Sequence, residues 1–175
     1  MTATQRTPLN TNFLQPTKFL MSFDRLPTIS YQCQSVNLPG VSLGSATYNT
    51  PLVDVPLAGN KLSYNELEMV FYIDEELTTW KELYEWMLMI ASPEGMSERR
   101  HFYTDANEGK PHKSYYSDGS LIILSGLNNP LSRIVYHRLF PISLSDVQFD
   151  TTQSAETILT ATATFKYQHF DIQKS

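Results

Sequence analysis

With 175 residues and a net charge of −5, the chain is long enough for one domain with a sizeable core, and its 41% hydrophobic content excludes a disordered polymer. No apolar run approaches the roughly 20 residues that span a bilayer, so no membrane anchor is expected, and the polar stretch 1–16 lacks the apolar centre of a secretory signal. The single cysteine, Cys33, excludes an internal disulfide and a cysteine-built zinc site, while abundant Tyr, Phe, Thr and Ser favour strands over helices.

Residues 1–17, rich in Thr, Asn and Gln with Pro8 and Pro16, read as a flexible arm, and 18–175 as a single domain. The alternation of Phe19, Met21 and Phe23 predicts a strand over 18–23. After the Leu26-Pro27 turn, 29–36 reads as a second strand with Ile29, Tyr31 and Cys33 inward, forming a hairpin with the first. Cys33 is expected to be a small buried residue in a strand, not a reactive thiol, because no base accompanies it.

Residues 37–65 differ. Pro39, Pro51 and Pro56 keep such a segment out of the centre of a sheet, so a long extended loop is expected. Its apolar residues Val41, Leu43, Leu52, Val53, Val55 and Leu57 are too many for a plain solvent loop. Either the segment folds back on its own domain or it docks on a neighbour, and an exposed patch of this kind marks an interface.

Alternation of Leu67, Met69, Phe71 and Ile73 predicts a strand over 66–73. A helix follows from Trp80 to about Ala91, introduced by a Thr79/Glu82 capping box. Its expected apolar stripe is Trp80, Leu83, Tyr84, Met87, Leu88 and Ala91, a core stripe and not a cofactor box. Residues 94–119 read as a long loop partly anchored by Phe102, Tyr103, Tyr115 and Tyr116. Strands over 121–125 and 133–139 flank a turn at 126–130. Phe140-Pro141 reads as a bend, 145–150 as a strand, and 159–168 as a long final strand. In that last strand Leu159, Ala161, Ala163, Phe165 and Tyr167 face one way, while Thr160, Thr162, Thr164, Lys166 and Gln168 face the other. About seven strands and one helix in antiparallel order predict a mainly β fold: a small antiparallel β-barrel or sandwich with one flanking α-helix and long extended loops.

No catalytic constellation emerges. There is no nucleophile elbow, no metalloprotease helix, no phosphate loop and no EF-hand, so neither an enzyme nor a cofactor protein is expected. The histidines His101, His112, His137 and His169 lack metal-ligand spacing, and the two on strands read as hydrogen-bonding surface residues. Asp146 and Asp150, on one face of the predicted 145–150 strand, would lie about 13 Å apart, too far for a glycosidase pair. Seven acids between Glu66 and Glu85 against one base, Lys81, exclude a phosphate-gripping nucleic-acid site.

Taken in order, the residues 34–40 (QSVNLPG), the strand ending in Asp74-Glu75-Glu76, the Trp-led helix 79–87 (TWKELYEWM), the stretch 139–150 (LFPISLSDVQFD) and the alternating last strand resemble the tail tube proteins of contractile-tailed bacteriophages. The resemblance covers about residues 18–171. It implies an Hcp-like fold, six copies in a ring, and rings stacked into a hollow tube through which DNA passes without specific binding, with sheath and baseplate proteins as partners and the virion as location. A baseplate tube initiator and a secreted Hcp-like injection-system tube subunit are alternatives within it. Under this reading the extended segment, through Val41, Leu43, Leu52, Val53, Val55 and Leu57, makes the ring-stacking contact, and Thr160, Thr162, Thr164 and Lys166 lie on an inter-subunit strand. A ligand-binding β-barrel is the competing class, but the helix stripe and the large aromatics would fill its cavity.

Overall fold

A computed structural model describes residues 12–91, 93, 115–152, 154 and 157–174. Nine strands and two helices occur among the described residues: β1 (Phe19–Phe23), α1 (Ile29–Gln32), β2 (Cys33–Val36), β3 (Val41–Asn49), β4 (Asp54–Tyr64), β5 (Leu67–Tyr72), α2 (Thr78–Ile90), β6 (Ser117–Leu124), β7 (Pro130–Leu144), β8 (Thr160–Lys166) and β9 (His169–Lys174). Seven strands form one antiparallel array in the order β1-β6-β7-β8-β5-β2, with β9 also on β7, and β3 and β4 form a separate two-stranded sheet. The array is an open sandwich and not a closed barrel, with β1 and β2 at its two ends. The expected mainly β, antiparallel, helix-flanked class is what the chain adopts.

Strand β7 joins the two layers. Its first half pairs with β6 on one side and β9 on the other, and its second half pairs with β8. The change of partner falls next to Arg138, whose φ of 54° is left-handed and whose amide donates to Asp118 Oδ1 at 2.9 Å. Such bulges bend a strand from one sheet into the other. Phe140-Pro141 is therefore not a bend between strands: Pro141 lies inside β7 opposite Phe165, where the register shifts and a missing donor is tolerated. Residues 145–150 do not form a strand. Instead, Ser145 ends β7 by donating its amide to Thr162 O at 2.8 Å and accepting the Thr162 amide on Oγ at 2.9 Å.

The alternating patterns place the core. Leu67, Met69 and Phe71 of β5 stand opposite Phe165, Ala163 and Ala161 of β8, and all six are buried. They meet Met21, Phe23, Leu121, Ile134, Tyr136 and Leu139 from the other strands. Helix α2 closes the core with Leu83, Trp86 and Met89. Its buried face is thus turned from the predicted stripe: Tyr84 stays exposed, and Trp80, only half-buried, stacks on it with ring centres 5.5 Å apart. Trp86 goes inward because its apolar body meets Phe165 at 6.3 Å while its indole N–H still reaches Tyr115 O at 2.9 Å. A buried Trp needs such an acceptor.

The helix start differs as well. Thr79 lies inside α2 and donates its hydroxyl to Gln32, so no Thr79/Glu82 capping box forms. Asp74 stands just ahead of the helix instead: hydrogen bonding from Thr78, side chain and backbone, and from the Thr79 backbone holds its carboxylate below the usual carboxylate range, while its Oδ1 is buried without a partner among the described residues. The predicted 18–36 hairpin is also not formed. Residues 29–32 make a helical turn that buries Ile29, and β2 then pairs with β5, leaving β1 to β6. The turn carries the chain across the end of the sandwich, which a tight hairpin could not do.

Candidate functional site

The segment expected as a loop is a β-ribbon. Strands β3 and β4 pair from Val41↔Tyr64 to Asn49↔Asp54, and at about 3.3 Å per residue the 11 residues of β4 extend roughly 36 Å. Both strands are edges, so Pro56 is accommodated without breaking a central ladder. At the tip, Val53 donates its amide to Thr50 Oγ1 at 3.2 Å, which closes the turn around Pro51 and Leu52. The register slips near Gly44, where a Cβ on Gly59 would stand 2.4 Å from Gly44 O. Only glycine permits that approach of the two backbones.

The base of the ribbon is held by two devices. Asn37 extends the β2–β5 ladder with its side chain: its Nδ2 donates to Glu66 O at 3.1 Å and its Oδ1 accepts the Glu68 amide at 2.8 Å. Leu38-Pro39-Gly40 then turns the chain out, and Asn65 returns it by donating its amide to Gly40 O at 2.9 Å. This is the structural content of the QSVNLPG stretch. On the other side Tyr64 packs on Tyr167 and Phe170 with ring centres 5.9 and 5.5 Å away, and Tyr167 Oη donates to Asn65 O at 3.0 Å. Burial, with Tyr64 nearby, pushes the Tyr167 phenol up to about 12.

Residues opposite each other on a ribbon share a face. Apolar pairs thus occur on both sides of the slip, Val41–Tyr64 and Leu43–Leu62 near the base and Ala46–Leu57 and Tyr48–Val55 nearer the tip, while Ser42–Ser63, Ser45–Ala58, Thr47–Pro56 and Asn49–Asp54 make the remaining pairs. All six apolar residues singled out in the sequence are exposed, Leu52 at the tip by 97%. Sequence reading missed the exposed Tyr48 and Leu62, which stand opposite Val55 and Leu43; the period-2 pattern holds on both arms but is broken by the irregular register.

Thr160, Thr162, Thr164 and Lys166 are on β8, with side chains away from the core. Both edges of β8 are taken within the chain, by β5 and β7, so its main chain has no free ladder to offer. Lys166 Nζ lies 3.4 Å from Glu66 Oε1. Among the described residues, the seven-stranded array leaves unshared edges on β1, β2 and β9, and each ribbon strand keeps one as well. Between β1 and β2 opens a cleft of about 370 Å³ lined by Phe19, Met21, Cys33 and Val36, among others. Cys33 is half-buried, and burial pushes its thiol up to about 11, away from the thiolate a nucleophile needs. His101, Phe102, Tyr103 and His112 fall outside the described residues. No helix among the described residues is long and apolar enough to cross a membrane.

Three comparisons bear on this geometry. Residues 9–173 match the family model described as phage tail tube protein. The chain is 29% identical over 173 residues to the tail tube terminator protein of Enterobacteria phage T4, covering 93% of this chain and 90% of that protein. Its fold is similar to the tube-terminating cap of the anti-feeding prophage (TM-score 0.64, 13% identity, 100% of both chains covered). It is also similar to a chain of the sheath/tube terminator of the extracellular contractile injection system PVC (TM-score 0.62, 15% identity, 94% of this chain and 99% of that one).

Proposed function

The chain belongs to the phage tail tube protein family, a family of structural proteins and not of enzymes, and on that premise we propose that it is a tail tube terminator: a ring-forming subunit that docks on the last ring of a tail tube and ends it. The observation that carries this reading is the end-to-end likeness to the T4 terminator, with neither chain extending far beyond the match. The ribbon supplies the physical means. It leaves Val41, Leu43, Val55 and Leu57 uncovered along its length, with Leu52 and Val53 at its tip, and a neighbouring subunit would cover them.

A head-to-tail contact repeated along an axis makes an open filament. A repeating tube subunit needs both complementary faces of that contact, whereas a terminator needs one. In this reading the ribbon makes the axial or ring contact, and the free edges of β1, β2 and β9 pair with or abut neighbours around a six-membered ring. Thr160, Thr162, Thr164 and Lys166 act through side chains on a wall of the ring. The tube and the sheath are the partners, DNA passes the lumen without specific binding, and the location is the tail of the virion after assembly in the host cytoplasm.

Size-exclusion and negative-stain microscopy test this directly. Alone at high concentration the protein is expected to give discrete rings or their subunits and no long tubes. Added to polymerising tube subunits of the same tail, it is expected to cap one end and halt elongation. Long regular tubes from this chain alone would make it the repeating subunit instead, and failure to associate with any tube end would defeat the terminator reading.

A further inference from the structure

The outer face of the sandwich carries a cluster that the tail role does not use. His137 of β7 and His169 of β9 stand directly opposite in the ladder, their rings stacked with centres 4.7 Å apart. Asp171, two residues along β9 and so on the same face, brings Oδ2 to 3.1 Å from His137 Nε2 and 4.0 Å from His169 Nε2. One ligand atom from each of the three residues lies within 4.8 Å of the others. On the far side of His137, Asp118 Oδ2 is 3.8 Å from Nδ1.

We propose that His137, His169 and Asp171 form a binding site for a divalent transition-metal ion, zinc being the simplest occupant. Two imidazoles and a carboxylate are a donor set that suits zinc, cobalt, nickel or copper, and not calcium or magnesium, which take all-oxygen shells. A tetrahedral zinc with bonds of about 2.0–2.1 Å holds its donors roughly 3.4 Å apart. The His137–Asp171 separation already meets this, and small side-chain rotations bring in His169. Asp118 Oδ2, 3.8 Å from Nδ1, is beyond hydrogen-bond distance in this structure, and a small rotation on metal binding would let it accept Nδ1–H as an outer carboxylate does and leave Nε2 for the ion. Three protein ligands leave a fourth position for water or for a donor on an adjoining subunit.

The site also has a consequence for the fold. Strand β9 is an edge held by β7 alone, and an ion bridging His137 to His169 and Asp171 staples it there. Binding to the folded chain only would then raise its stability with ion concentration.

The test uses the full-length protein stripped with a chelator. Titration with Co2+ is expected to produce ligand-field absorption saturating at one ion per chain, and Zn2+ is expected to displace it and to raise the melting temperature. His169→Ala and Asp171→Asn, both at partly or fully exposed positions, are each expected to weaken the ion at least about tenfold. Far-UV circular dichroism and metal-free melting establish that each variant is folded. The proposal is overturned if the unmodified protein shows no saturable binding up to millimolar zinc, or if folded His169→Ala and Asp171→Asn bind as tightly as the parent.

Discussion

The sandwich and the ribbon are made by the same local rule and meet opposite fates. In β5 and β8 the apolar parity is covered by α2 and the facing strands, so Phe71, Phe165 and Trp86 are fully buried. In β3 and β4 the apolar cross-strand pairs have no second layer, and every residue of β3 is exposed. A two-stranded hairpin by itself is marginal in water. This one is fixed by its ladder, the Thr50 turn and the Tyr64–Tyr167–Phe170 base. The lesson is that apolar cross-strand pairs can be specified by sequence yet left open by the monomer, and an exposed apolar surface of this kind marks a candidate interface.

That contrast can be broken at three points. Trp86→Ala is expected to cost about 3–5 kcal/mol in denaturant-induced unfolding, the scale for a fully buried aromatic, whereas Trp80→Ala, at the half-exposed position, is expected to cost clearly less. Equal losses would mean that α2 presents the other face. At the junction, Tyr167→Phe removes the bond to Asn65 O and is expected to cost about 1 kcal/mol.

The pH dependence of the same group has a definite sign. Its folded value, about 12, lies above the ordinary phenol value near 10. Its contribution is therefore fully present below about pH 10 and is lost as pH rises toward and through 12. Hydrogen exchange of the ribbon amides should quicken over that window in the parent and less so in the Phe variant. An unchanged profile would detach Tyr167 from ribbon anchoring.

The smallest expected effect on the monomer is the largest on assembly. Val53→Asp with Val55→Asp should shift unfolding by less than about 1 kcal/mol, as surface changes do, yet abolish capping of tube ends in negative stain. Global unfolding of that double variant would show that the ribbon is part of the core after all.

Much of the fold was legible. The inward residues of β1, β5 and β8 follow from alternation, and the tail-tube resemblance rested on stretches whose roles are now visible, with Asn37 continuing a ladder and Ser145 locking β7 to β8. Other features were not. Three prolines made β3 and β4 look like loop, because sequence does not show that both strands are edges. Pro141 looked like a break, because the register shift that accommodates it is set against β8, a strand distant along the chain. The stripe of α2 was misjudged because Tyr84 and Trp86 are similarly apolar, and only an acceptor at Tyr115 O decides which turns inward.

By itself the sequence determined which side chains share a face of each strand and that one extended segment is too apolar for solvent, since side-chain direction alternates by local geometry alone. Tertiary structure alone decided that β2 joins β5, that β7 serves two layers, that the ribbon stands free, and that His137 meets His169 and Asp171. Those neighbours lie far apart along the chain, and their meeting depends on the register of the whole sheet, which no local pattern encodes.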